Sequence, residues 1–154
     1  MMNPEDFEQA EALALSRIGE AVVTQAKLNL NKYHYIHKTG ELQNSVTWEL
    51  DLPNHRVLIG TNKPYGLYME RGTGIHAVDG KGVPYPWHWF DPSGYYTEDG
   101  EEGWVWTRGQ KPRPWLEPAK RDYQVQYMMR KYARELGINI VAGAIEAINK
   151  EEKK

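Results

Sequence analysis

The chain has 154 residues, a formal net charge of −2 and no cysteine. That length admits one domain with a real core, the near-neutral charge gives no global attraction to nucleic acid or membrane, and the missing cysteines exclude disulfides, zinc–thiolate sites and cysteine nucleophiles. Six Trp and ten Tyr stand against two Phe, a bias toward rings with an apolar face and a polar tip, which suit half-buried positions and interfaces.

The N-terminal stretch MMNPEDFEQAEALAL is acidic and lacks the cationic start and apolar run of a signal peptide. No run approaches the roughly 20 apolar residues of a membrane span, so a product made in a cytosol is expected. Asn3-Pro4-Glu5-Asp6 reads as a helix start, with Asn able to cap, Pro suited to the first turn and two carboxylates at the positive dipole end. Phe7, Ala10, Ala14, Ile18, Ala21, Val22 and Leu28 recur at helical spacing. One long helix over about 4–31 is predicted, with a small, Ala-rich stripe that lets a sheet or a neighbouring subunit come close. Leu13 and Leu15 fall off that stripe.

Thr39-Gly40-Glu41-Leu42 predicts a capped helical turn with Leu42 pointing inward. VTWELD (46–51) and HRVLIGT (55–61), separated by Leu52-Pro53-Asn54, alternate as a half-buried β-hairpin does. Asn62-Lys63-Pro64 then opens a short helix over 64–70, closed by Gly72 at the C-cap. Positions 75–107 are dense in Gly, Pro and aromatics and read as a long loop insertion. Trp104-Val105-Trp106-Thr107 is the segment expected to return it to the sheet.

Lys111-Pro112-Arg113-Pro114-Trp115 is held extended by its prolines, and Pro118 sits in the first turn of a last helix over about 117–136, with Gly137 as break or kink. A further apolar-sided portion carries Ile138, Val141, Ala144, Ile145 and Ile148. The expected architecture is therefore α+β: a small antiparallel sheet of three or four strands (46–51, 55–61, about 104–108, and 111–115 as the candidate fourth) packed against a long N-terminal and a C-terminal helix. It forms a single domain over 1–154 with the insertion 75–107.

The residues that could carry chemistry do not fall into reactive patterns. His34 and His37 stand three apart without a third ligand at motif spacing, so neither metal nor cofactor is expected. His76 with Asp79 and His88 with Asp91 lack a nucleophile elbow, and Ser16, Ser45 and Ser93 have no GxSxG context. Carboxylate pairs drawn from Glu70, Glu98 and Asp99 are of the sort any acidic chain offers. RGTG (71–74) and GKG (80–82) match no phosphate loop. YPWHWFDPSGYY (85–96) is either an aromatic platform for a carbohydrate or peptide, or a set of rings anchoring the insertion to its own domain or to a partner. The charges are segregated: Asp91, Glu98, Asp99, Glu101 and Glu102 fill 91–102 without a base, whereas 108–134 holds Arg108, Lys111, Arg113, Lys120, Arg121, Arg130, Lys131 and Arg134 against Glu117 and Asp122. Salt contacts within or between subunits account for that pattern at least as well as nucleic acid does.

Three segments in order behind an N-terminal helix carry a resemblance. They are Thr39-Gly40-x-Leu42-x-x-Ser45, then Tyr65-Gly66-x-Tyr68-x-Glu70-x-Gly72-Thr73, then Arg113-Pro114-Trp115-Leu116-x-Pro118-Ala119. The chain resembles the tail-completion, or head–tail joining, proteins of tailed phages with long non-contractile tails. Gly66 stands where that family usually has Ala and Trp115 where it usually has Phe, and the aromatic insertion falls outside the shared pattern. The resemblance implies a non-enzymatic virion or prophage component, made in the bacterial host cytoplasm and placed at the head–tail junction. It would act as a ring of identical subunits docking to head–tail adaptor and tail-tube or tail-terminator proteins, without membrane and with only non-specific DNA proximity in the lumen. On that reading Tyr65, Tyr68, Glu70, Arg71, Trp87, Trp89, Trp104, Arg113 and Trp115 are candidate interface residues. Thr39, Gly40, Leu42, Gly72, Thr73, Pro114 and Pro118 form a structural corner, with Glu70 expected to accept from backbone or from an Arg such as Arg113.

Overall fold

The computed structural model describes residues 2–33, 40–78, 80 and 82–143, so that His34, His37, Thr39, Asp79 and the segment from Ala144 onward lie outside the described residues. In chain order the elements are α1 (Pro4–Asn31), α2 (Glu41–Ser45), β1 (Thr47–Asp51), β2 (Arg56–Gly60), α3 (Tyr65–Arg71), β3 (Trp87–Asp91), β4 (Gly103–Thr107), α4 (Glu117–Lys120) and α5 (Tyr123–Leu136). The fold is α+β. Two compact units share the chain: Met1–Gly66 with Pro114–Lys154, and Leu67–Arg113.

In the first unit α1 is the spine, packed by β1 and β2 and by α4 and α5. Its start is as the sequence predicts: the Asp6 N–H donates to Asn3 Oδ1 at 2.8 Å. Ala14, Leu15, Ile18, Val22, Val23, Ala26 and Leu30 are buried, while Leu13 and Leu28 face solvent. Leu15 is thus a core residue and Leu28 is not. The stripe is wider than the spacing suggests because α1 is covered on more than one side. Gly19 is where the sheet comes nearest: a Cβ there would lie 2.9 Å from Val57 Cγ2 and 3.1 Å from Trp48 Cγ.

β1 and β2 pair antiparallel with Trp48 opposite Ile59 and Leu50 opposite Val57. Opposed residues share a face, so these four form the side that meets α1, joined by a 3₁₀ turn over Leu52–Asn54. The expected single sheet of three or four strands is instead two separate two-stranded sheets, β1–β2 and β3–β4. β4 forms as expected but pairs with β3 inside the insertion, Trp87 opposite Thr107 and Asp91 opposite Gly103. Residues 111–115 form no strand. Pro112 and Pro114 have no N–H to give a ladder, and the Arg113 N–H goes to Met69 O at 2.6 Å.

The last helix is also split. Arg121 ends α4, and the Asp122 carboxylate restarts the chain as α5 by accepting from the Gln124 and Val125 N–H groups at 3.0 and 3.4 Å. Gly137, at φ 68°, ends α5 in the left-handed conformation, and 138–143 are not helical. No helix among the described residues is long and apolar enough to cross a membrane.

Candidate functional site

The three resembling segments meet at Gly66. A Cβ on Gly66 would lie 2.8 Å from Thr61 Cγ2, 3.0 Å from Leu42 Cδ1 and 3.4 Å from Trp115 Cζ2. The Trp115 indole N–H donates to Gly66 O at 2.9 Å, so the ring that fills the space is also tied to the backbone it covers. Trp115 is only 2% exposed, and Leu42 is equally enclosed. From the other side the buried Asn29 amide of α1 donates to Trp115 O at 3.0 Å. The Ser45 hydroxyl hydrogen-bonds Leu42 O and Thr61 Oγ1, closing the α2 end of the knot. The chain enters α2 through Gly40 at φ 68°, and no side chain caps that helix.

A second clasp lies within the second unit. Thr73 and Gln110 exchange two bonds: the Thr73 N–H donates to Gln110 O at 3.0 Å, and the Gln110 N–H to Thr73 Oγ1 at 3.0 Å. The Ile75 N–H donates to Arg108 O at 3.1 Å, and the Arg113 guanidinium donates to Gln110 Oε1 at 3.1 Å. Gly72, at φ 75°, is pressed on three sides: a Cβ would sit 2.9 Å from Gln110 O, His76 O and Pro112 Cδ. Only glycine combines that φ with that closeness. Residues 69–75 and 108–113 therefore run together as one doubled strap.

The candidate interface residues divide by accessibility. Trp115 is interior, and Glu70 is only 7% exposed, so neither presents a surface to a partner in this fold. Tyr65, Arg71, Trp87, Trp89 and Arg113 are half-buried, whereas Tyr68 and Trp104 are exposed. Burial, with the Glu41 carboxylate adding to it, pushes the Tyr65 phenol above its ordinary pKa. Of the corner residues, Leu42 and Gly72 are buried, Gly40 and Thr73 half-buried, and Pro114 and Pro118 exposed.

The rings of the insertion are organised in a way the sequence does not announce. On the β3–β4 ribbon His88 opposes Trp106 and Phe90 opposes Trp104. The four side chains therefore share one face, with His88 4.7 Å from Trp104 and 4.9 Å from Trp106, and Phe90 5.5 Å from Trp104, between ring centroids. Trp104 is 64% and Trp106 70% exposed. Trp89, on the other face, packs edge-on against Tyr96 at 5.5 Å. The turn beyond β3 is pinned by Asp91: its carboxylate accepts from the Ser93 hydroxyl and N–H and from the Tyr96 N–H, at 2.6, 2.9 and 2.8 Å. Those bonds, the Ser93 side chain foremost, hold the Asp91 pKa below the ordinary carboxylate range. Asp91 thus serves the turn, and the alternation over 103–107 was the available signal for the ribbon.

One surface recess of about 430 Å³ is lined by Glu41, Asn44, Ser45, Thr47, Asn62 and Lys63. None of Glu70, His76 or His88 reaches it. Among the described residues no group of three or more His, Asp or Glu is arranged to hold a metal ion. Comparison with known proteins returned no matching family model, curated protein or solved structure.

Proposed function

We propose that the chain is a structural subunit of a phage or prophage particle, joining head to tail by assembling with copies of itself and docking to neck and tail proteins. The observation that carries this reading is the convergence at Gly66 of the three segments on which the family resemblance rests, Leu42 from the first, Gly66 from the second and Trp115 from the third. Residues matched only by chance have no reason to become one another's packing neighbours. The arrangement also suits the task. An assembly subunit needs rigid packing behind its contact surfaces, and the enclosed side chains around Gly66 supply it within their own unit.

A carbohydrate- or peptide-binding module is the second reading, and the exposed rings of β3–β4 are what favour it. The two separate genetically. In the strain that carries this gene, deletion under particle-inducing conditions leaves DNA-filled heads and unattached tails, restored by the gene in trans. Complete, infectious particles from the deletion strain would refute the head–tail role.

A further inference from the structure

Two surfaces of this chain match each other in shape and charge. The first is the aromatic face of the β3–β4 ribbon, His88, Phe90, Trp104 and Trp106, beyond which the turn carries exposed Glu98, Glu101 and Glu102. The second is the outward side of α5. That helix buries Val125, Met129 and Tyr132. On the opposite side Tyr123, Tyr127, Arg130 and Arg134 recur at intervals of four, three and four, which is one stripe of an α-helix. Tyr123 is 76% and Tyr127 56% exposed, and both arginines face solvent. Among the described residues these two tyrosines lie on the side of the helix away from its buried residues.

From Tyr123 to Arg134 the stripe runs about 16 Å at 1.5 Å per residue, and the ribbon offers about 13 Å along the four steps of β3 with the acidic turn beyond it. In both, an aromatic half gives way to a charged half, acidic on the ribbon and basic on the helix. We propose that α5 of one copy lies along the aromatic face of the ribbon of a second copy. Tyr123 and Tyr127 then stack on the Trp104 and Trp106 rings, and Arg130 and Arg134 meet the acidic turn. The proposal rests on the assembly reading above and names the contact through which self-assembly occurs. Charge order selects the occupant: a polyanion is repelled by the turn, and a neutral sugar makes no use of the basic stripe on α5. Each copy bears one ribbon and one stripe, so the contact can be made reciprocally in a closed dimer or head-to-tail in a ring or filament.

Sedimentation velocity of the full chain, at low and at high salt, tests this with two charge-reversed variants. One carries Glu101→Lys with Glu102→Lys; the other carries Arg130→Glu with Arg134→Glu. The wild type self-associates, more weakly as salt rises. Each variant alone removes the charge complementarity between turn and helix and loses association by about tenfold or more. An equimolar mixture regains it, since each variant's ribbon now opposes the other's helix. Trp104→Ala with Trp106→Ala weakens association about 30-fold while the monomer still unfolds in a cooperative melting transition. A wild type that stays monomeric throughout, or a mixture that stays monomeric where the wild type assembles, overturns the contact. So does tryptophan quenching by oligosaccharides that is indifferent to the charge reversals, which would make the face a sugar platform. The deletion phenotype judges the head–tail reading separately, without reference to this contact.

Discussion

At the scale of single residues the most informative position is Gly66. The family that the chain resembles usually has Ala at the place of Gly66 and Phe at that of Trp115. A methyl at 66 would press on Thr61 Cγ2 at 2.8 Å and Leu42 Cδ1 at 3.0 Å, with Trp115 Cζ2 next at 3.4 Å. Gly66→Ala gains about 0.5–1 kcal/mol of helix propensity and meets an overpacking cost of about 1–3 kcal/mol. The cost wins, because Leu42 is enclosed by its neighbours and cannot yield freely. The substitution lowers the melting temperature in the wild-type background and costs about 1 kcal/mol less in the Trp115→Phe background, readable as a double-mutant cycle in urea. Equal costs in both backgrounds would mean the two positions are uncoupled. Asp91 offers a second test at this scale. Its folded pKa lies below the unfolded value, so its contribution is present above the ordinary carboxylate range and is lost as pH falls through the lowered folded value. Amide exchange in the 92–97 turn therefore accelerates on acidification, and Asp91→Asn, which cannot accept the same set of bonds, abolishes that pH dependence and exchanges fast throughout.

At the scale of elements the decisive feature is a sheet that divides. The hairpin of β1 and β2 was legible because Trp48 and Leu50 alternate with polar neighbours over a clean turn, and α1 because Asn3 and Pro4 mark its start. β3 was not. WHWFD lies among prolines, its rings mask any alternation, and only its partner GWVWT, with two exposed Trp, has a period that reads as a strand. Local pattern reports that a segment is extended; which strand it pairs with depends on where the turn between them closes, and here Asp91 and the glycines at 94 and 100 close it within the insertion. The break between α4 and α5 was hidden for a related reason. Asp122 lies within a run that reads as helix on both sides, and it is the orientation of its carboxylate that makes it a cap. Asp122→Ala costs about 1 kcal/mol, measured as a lower denaturation midpoint; an unchanged midpoint would show that α4 and α5 can fuse without loss. The knot was legible as a resemblance, since its three segments were read in order, but its centre was not. No sequence rule indicates that a helix-start glycine receives a leucine and an indole from segments far apart in the chain. Trp115, a candidate interface residue by sequence, is 2% exposed, its indole turned onto Gly66 O.

At the scale of the whole molecule a strong anchor, Trp115, is paired with surfaces left bare. Truncating a buried ring of this size costs about 3–5 kcal/mol, so Trp115→Ala leaves little folded protein at physiological temperature, assayed by circular dichroism. Trp104→Ala leaves the fold intact, since its ring is largely in water. Trp115 is thus placed to stabilise the fold, whereas the exposed rings of the ribbon are free of that duty and are the surface proposed above for contact with a second copy. The measurement that tests this account most directly is electron cryo-microscopy of intact particles from the strain carrying the gene. The account predicts a symmetric ring of this chain between head and tail, with its β3–β4 ribbons in subunit contacts. Particles in which the chain is absent from that junction, or present with its ribbon facing open solvent, would contradict it.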